Sequence, residues 1–172
     1  MDASTDREYS RPPVFEDVVT LCRALNKASV RYILIGGFAV VLHGSLRGTK
    51  DIDLLVDASE KNVGALKRAM AYLPDNAVAL IQNGEVKQYG VVRIADEFVV
   101  DLMRAACGID YEAAMAAGIQ YKEIEGVRIP IPTKALLIRM KDTIRFSDKS
   151  DIQFLQVLIE EEERGKKGEG PR

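Results

Sequence analysis

Histidine and cysteine are nearly missing from this 172-residue chain, which has one histidine, His43, and two cysteines, Cys22 and Cys107. A zinc site of the usual kind needs three or four Cys or His ligands, so structural and catalytic zinc centres are excluded. A Ser-His-Asp hydrolase could rest on His43 alone. The two cysteines lie 85 positions apart within apolar, helix-spaced patterns. They read as small apolar side chains of a reduced, intracellular chain and not as a disulfide framework. Excess charge of either sign is also lacking. The 24 Lys and Arg against 26 Asp and Glu leave a formal charge of −2. That balance excludes a surface built wholly to grip nucleic acid or an anionic membrane. No apolar run reaches membrane-spanning length, and Met1-Asp2-Ala3-Ser4-Thr5-Asp6 is acidic where a targeting signal would be basic. The expectation is a cytoplasmic protein with no membrane partner. Chemistry, if present, falls to carboxylates.

The hydrophobic pattern predicts one α/β (α+β) domain: a mixed sheet flanked by helices, closed by a C-terminal helical pair. Residues 1–13, ending in Pro12-Pro13, read as a flexible arm. Residues 14–164 form the domain, with a core at 14–131 and closing helices at 132–164; residues 165–172, rich in Gly and Lys, read as a disordered tail. Phe15, Val18, Val19, Cys22 and Leu25 recur at helical spacing up to about Ser29. Tyr32-Ile33-Leu34-Ile35 is a buried strand running into Gly36-Gly37, and Phe38 to His43 a short helix closed by Gly44. After a partly basic loop, Ser45 to Lys50, comes the strand Asp51 to Asp57, then a helix from Ser59 to Leu73. Residues 77–82 are apolar without a clear period. Tyr89–Ala95 and Glu97–Met103 form a hairpin turning at Asp96, Tyr111–Ala117 a short helix, and Ile119–Ile131 a weaker strand pair. Thr133 to about Phe146 and Asp148 to about Arg164 are the closing helices.

Alternation along a strand puts Asp51 and Asp53 on one face and Ile52, Leu54 and Val56 on the other. Two carboxylates so placed repel unless a cation separates them. Oxygen donors of this kind suit Mg²⁺ or Mn²⁺, which complete their shells with water and phosphate. A third acid, Asp101, interrupts the apolar run Phe98–Met103, where a charge is costly unless paired or coordinated. Three such acids could hold two metals for an in-line phosphoryl displacement. Alternatively, Arg93 on the neighbouring strand could pair with Asp101. The Gly36-Gly37 turn lets backbone approach a ligand, and Arg47 and Lys50 lie in the loop between it and the acids.

The stretch Gly36-Gly37-Phe38-Ala39, followed by His43-Gly44, Arg47-Gly48-Thr49-Lys50 and Asp51-Ile52-Asp53, resembles the signature of the nucleotidyltransferase superfamily, with its polymerase-β-like fold. Within it the chain is similar to small bacterial proteins near the AbiEii toxin group and the minimal nucleotidyltransferases. The family pattern is Gly-Gly or Gly-Ser, a spacer that residues 38–50 supply here, and then Asp-x-Asp or Asp-x-Glu, with a third carboxylate matched by Asp101. The resemblance implies transfer of a nucleoside monophosphate from an NTP to an acceptor hydroxyl on a tRNA, a protein or a small molecule, releasing pyrophosphate. It implies Asp51, Asp53 and Asp101 as Mg²⁺ ligands, with Asp101 also helping to deprotonate the acceptor. Gly36 and Gly37 would hold the phosphates; Arg47 and Lys50, from their place in the loop, could neutralise a triphosphate. Gly37 departs from the serine of many active members. A haloacid-dehalogenase-type phosphatase needs an apolar strand before its first Asp, and a glycosyltransferase places Asp-x-Asp after its strand; both fit less well. The other reading is a non-catalytic binding protein of the same fold, such as a toxin–antitoxin component with a protein partner.

Between 134 and 149 five cations face two acids. On one continuous helix Lys134, Lys141 and Arg145 share a stripe opposite Leu136, Leu137, Met140 and Ile144. By resemblance Lys141 contacts the nucleotide phosphates; otherwise the stripe is a solvated face. Asp148 and Asp151 read as caps of the last helix, and His43 as a helix-end residue beside Gly44.

Overall fold

The computed structural model describes residues 10–168. Four strands make the central sheet: β1 (Tyr32–Ile35), β2 (Asp51–Val56), β3 (Val91–Ala95) and β4 (Val99–Met103). Their order is β1-β2-β4-β3, antiparallel at both edges and parallel between β2 and β4. The sheet is therefore mixed, as expected. The helices are α1 (Phe15–Lys27), α2 (Gly36–Leu42), α3 (Glu60–Met70), α4 (Glu85–Gln88), α5 (Tyr111–Ala117), α6 (Lys134–Met140) and α7 (Phe146–Gly168). The apolar run at 77–82 contains a 3-10 turn, Ala77–Leu80. Two small hairpins complete the chain: β5 (Ala105–Ala106) with β6 (Ile109–Asp110), and β7 (Ile119–Ile124) with β8 (Val127–Pro132). No helix among the described residues is long and apolar enough to cross a membrane.

The alternation read from β2 holds through the whole sheet. Leu34, Ile52, Leu54, Val92, Ile94, Val100 and Leu102 join Val18, Cys22 and Leu25 of α1 and Leu66 and Met70 of α3 in the main core. The opposite face carries a smaller cluster, in which Ile33, Ile35 and Leu55 pack with Leu136 and Met140 of α6. That face also carries the candidate acids. They stand at the border of the smaller cluster, where the apolar cover stops.

Local chemistry explains the element ends. Ser59, Asp110 and Thr133 each accept a backbone N–H from the first turn of α3, α5 and α6. The β3–β4 turn is held by Asp96, a buried acid whose carboxylate accepts the backbone N–H groups of Asp75, Ala77 and Glu97 at 3.1, 2.9 and 2.8 Å. Three backbone donors satisfy a charge that would otherwise be costly at this depth.

Five expectations are corrected. Residues 10–13 were read as part of a loose arm, but Ser10 donates to the Asp96 carbonyl, Arg11 pairs with Asp17 and Glu97, and the Arg11 N–H bonds to the Glu97 carbonyl. They are tied to the β3–β4 turn; residues 1–9 lie outside the described residues. The tail was expected from residue 165, whereas α7 continues to Gly168; residues 169–172 are not described. Finally, the helix expected from Thr133 to Phe146 stops at Met140. Asp148 carries ion pairs near the start of α7 instead of capping it. Cys107 also differs: it is exposed, in the β5–β6 turn, at a φ of 48°.

Candidate active site

Strand register places the acids. Asp53 of β2 lies opposite Ile35 of β1 on one side and Asp101 of β4 on the other, and Asp101 lies opposite Arg93 of β3. Asp51 is two residues earlier, on the same face. A cleft of about 530 Å³ opens above them, lined among others by Gly36, Asp51, Asp53, Arg93, Asp101, Lys141 and Arg145. Glycine is required at its edge. Gly36 has a φ of +67°, and a Cβ there would stand 2.0 Å from Asp53 Oδ2. The Asp53 carboxylate thus lies where any larger residue would put its side chain.

The electrostatics of the acids are unequal. Burial, reinforced by the nearby charges of Asp101 and Asp51, pushes Asp53 up to about 7, against a partial pull downward from Lys141 and Arg145. Among the described residues the Asp53 carboxylate has no hydrogen-bond or ion-pair partner, though its backbone pairs with both neighbouring strands. Asp101 is buried but paired: Arg93 donates Nε to its Oδ1 and Nη2 to its Oδ2, both at 2.9 Å. Arg93 also reaches Asp51 Oδ2 at 3.4 Å. The two-pronged bond to Asp101 holds Arg93 still more firmly protonated than usual. This pairing is the alternative that the sequence left open for Asp101. The Asp96–Phe98 turn sets the register that makes it.

The cations expected around a triphosphate are distributed differently. Lys141 follows α6 and lines the cleft, but its side chain is 7% exposed and its Nζ bonds to Asp148 at 3.2 Å and Asp151 at 2.8 Å. Arg47 turns to Asp151 as well, Nε to Oδ1 at 2.8 Å. Arg145 pairs with Asp148 at 2.9 Å yet stays 74% exposed, at the cleft wall. Asp148 is pulled both ways. Burial would raise it, but Thr143, Lys141 and Arg145 outweigh that and hold it below the ordinary carboxylate range. The two acids read as helix caps are therefore the anchors of a buried ion network. It joins the α2–β2 loop, the α6–α7 turn and α7.

Gly37 faces this network. A Cβ there would lie 2.6 Å from Thr49 Oγ1 and 2.9 Å from Arg47 Nη2, so a serine at 37 has no room. Lys50 does not line this cleft; together with Asp51 and Arg93 it lines a neighbouring one. His43 is buried at the end of α2. Its Nε2–H donates to the Pro132 carbonyl at 2.8 Å, and burial lowers its pKa. Sequence reasoning missed the buried roles of Asp148 and Asp151. Their partners lie seven residues away at Lys141 and 104 away at Arg47.

The donor set can be tested against a divalent cation. Among the described residues no three His, Cys, Asp or Glu side chains gather into a ready-made metal cage. Both Asp101 oxygens are engaged by Arg93. Asp51 and Asp53 remain as same-face oxygen donors, and Asp53 has a charge that burial and repulsion disfavour. Mg²⁺ commonly takes one or two carboxylates plus substrate phosphates, without an all-protein cage. Asp51 and Asp53 fit that role; Asp101 fits it only if Arg93 lets go.

The architecture is a mixed four-stranded sheet between helices, with the acids where β2 and β4 run side by side. Two solved structures are similar to it. One is a provisionally named nucleotidyltransferase from Thermotoga maritima, 14% identical, with 92% of this chain and 98% of that chain covered and a TM-score of 0.46. The other is an antigenic nucleotidyltransferase-like protein from Paracoccidioides brasiliensis, 18% identical, with 83% and 75% covered and a TM-score of 0.49. No protein-family model matches the chain, and no curated protein matches it.

Proposed function

We propose that this cleft is a nucleotidyltransferase site, which moves a nucleoside monophosphate from an NTP to an acceptor hydroxyl. The observation that carries the proposal is the same-face set of Asp51, Asp53 and Asp101 at the floor of a cleft with Gly36 at its edge. In the reaction the acceptor oxygen forms a bond to the α-phosphorus, the bond from that phosphorus to the pyrophosphate oxygen breaks, and the hydroxyl proton passes to a floor carboxylate. Asp51 and Asp53 would hold a divalent cation, Mg²⁺ or Mn²⁺, which supplies charge neutralisation for the triphosphate when bound. Gly36 leaves backbone open at the edge of the cleft. Arg145, exposed on the wall, is the cation best placed to meet the phosphates. Lys141, enclosed by Asp148 and Asp151, acts by holding the α6–α7 turn that carries Arg145. Arg93 positions Asp101. Most of the rate enhancement would come from positioning and fixed charge.

A second reading, a binding protein of this fold such as a toxin–antitoxin component, is favoured by one feature. Asp101, Lys141 and Arg47 already have their charges satisfied internally. One experiment separates the two. The protein is incubated with each labelled NTP, Mg²⁺ or Mn²⁺, and cell extract, beside Asp51→Ala/Asp53→Ala. Label passing to an RNA, protein or metabolite with the wild type alone supports the transferase and points to the acceptor. Absence of both metal and nucleotide binding rejects it.

A further inference from the structure

His43 is the chain's single histidine, and among the described residues its Nδ1 is the one buried side-chain nitrogen or oxygen with no hydrogen-bond partner. The residue is 8% exposed. Its other ring nitrogen, Nε2, lies 2.8 Å from the Pro132 carbonyl, which can only accept. Nε2 therefore carries the proton of the neutral ring, and Nδ1 is a bare lone pair. The bond to Pro132 spans 89 positions of the sequence. It ties the C-terminal end of α2 to the corner where β8 ends and Thr133 caps α6.

A second proton finds no acceptor. It would put a charge and a new donor at Nδ1, in a buried place that offers neither a partner. The carbonyls at the end of α2, which would favour a cation, are already taken. Those of Ala39, Val40 and Val41 accept the backbone N–H groups of His43, Gly44 and Ser45. α2 itself carries no charged side chain. The charges that face the ring come from three other elements: Lys122 of β7 and Lys134 of α6 oppose its protonation, and Glu162 of α7 favours it. Glu162 is held by Lys134, Nζ to Oε1 at 2.6 Å. Burial is the largest influence and works against the charged ring.

We infer that His43 is a proton-operated clasp: neutral, it closes α2 against the β8–α6 corner, and protonated, it releases both. The clasp reaches the candidate active site through the far ends of the two helices. α2 begins at Gly36, on the edge of the cleft, and α6 is followed by Lys141, in its wall. The inference concerns the fold's response to acid and stands whether or not the transferase reading holds. Because the folded ring titrates below the ordinary value of 6.5, the unfolded chain binds more protons in the window beneath that value. The clasp's contribution to stability is whole above 6.5 and is lost as pH falls through the folded value.

A single histidine gives a single imidazole signal, so ¹H–¹³C NMR of the full chain between about pH 8 and about pH 5 reads the clasp directly. The expected result is a neutral ring protonated at Nε2, a midpoint below 6.5, and amide signals of Gly36 and Met140 that move with that midpoint. His43→Gln keeps a donor for Pro132 and cannot titrate, so this movement should vanish in it; Asp53 titrates in both proteins and cancels in the comparison. In urea the wild type should lose stability relative to His43→Gln as pH falls below 6.5, by at most about tenfold in the unfolding constant per pH unit, the limit for one proton. Lys122→Gln, which removes a facing cation, should raise the imidazole midpoint. A wild-type midpoint at or above 6.5 would overturn the clasp, and that measurement needs no variant to fold. Amide movement confined to residues 41–45 and 132–134 would overturn it as well, since a titrating ring that releases nothing disturbs its neighbours alone. So would a stability difference between wild type and His43→Gln that does not change with pH.

Discussion

Replacing Lys141 with methionine tests whether the buried ion network, more than any nucleotide contact, is that residue's role. Its ammonium bridges Asp148 and Asp151, whose side chains are 5% and 3% exposed, and its own side chain is 7% exposed. Removing one partner from a buried pair costs about 3–5 kcal/mol, because the other charge is left without compensation. Here Asp151 keeps Arg47, and Asp148 keeps Thr143 and Arg145, so the lower end applies, about 3 kcal/mol. For a domain of this size that is a fall in Tm of roughly 6–12 °C. The pH dependence carries a sign. The folded protein holds Asp148 below its ordinary pKa, so its contribution is present above that value and is lost as pH falls through the folded one. Lys141 is among the groups that lower it, so wild type and variant should differ fully at pH 7 and converge only well below the ordinary carboxylate value, towards pH 2. Urea denaturation at both pH values reads this directly. Adding Asp151→Asn to Lys141→Met should recover part of the loss, since it removes a buried charge that has lost one of its two partners. A loss below about 1 kcal/mol at pH 7, or one equal at both pH values, would refute the reasoning.

Three further outcomes follow from the acids and their neighbours. Gly36→Ala places a Cβ on Asp53 and forces an L residue to a φ of +67°, which alone costs about 1–2 kcal/mol; calorimetry should show Mn²⁺ binding weakened along with stability. Arg93→Met releases both Asp101 oxygens, so in Mn²⁺ titration the metal should bind more tightly, by roughly tenfold, while chelator-treated protein loses stability. Weaker Mn²⁺ binding would show that Arg93 assists the cation instead of competing with it. Asp53 is raised to about 7, so its contribution to stability is present below the unfolded carboxylate pKa and is lost as pH rises towards 7. In chelator, Asp53→Asn should therefore be more stable than wild type at pH 8, by up to about 4 kcal/mol before solvent screening, and no more stable at pH 4.

Local pattern alone determined much of this protein. Period-2 alternation put Asp51 and Asp53 on one face and Ile52, Leu54 and Val56 in the core, because successive strand side chains must point oppositely. The apolar run before Gly36-Gly37 ends where β1 ends, and α5 spans the residues its pattern predicts. Such features depend on neighbours within a few residues. What tertiary structure decided are the partners of charges. Asp101 meets Arg93 because a turn pinned by Asp96 sets the β3–β4 register, and a shift of one residue would turn Arg93 to the other face. Lys141 turns inward because α6 stops at Met140, and Asp148 and Asp151 on α7 then lie over it. Lys50 lines a neighbouring cleft and not the one that holds Asp53 and Asp101, although it adjoins Asp51 in sequence. A charge follows whichever counter-charge the fold brings within reach, and those counter-charges can lie anywhere along the chain. The scarcity of histidine and cysteine pointed to carboxylates; only the folded chain showed which of them are paired and which are left to act.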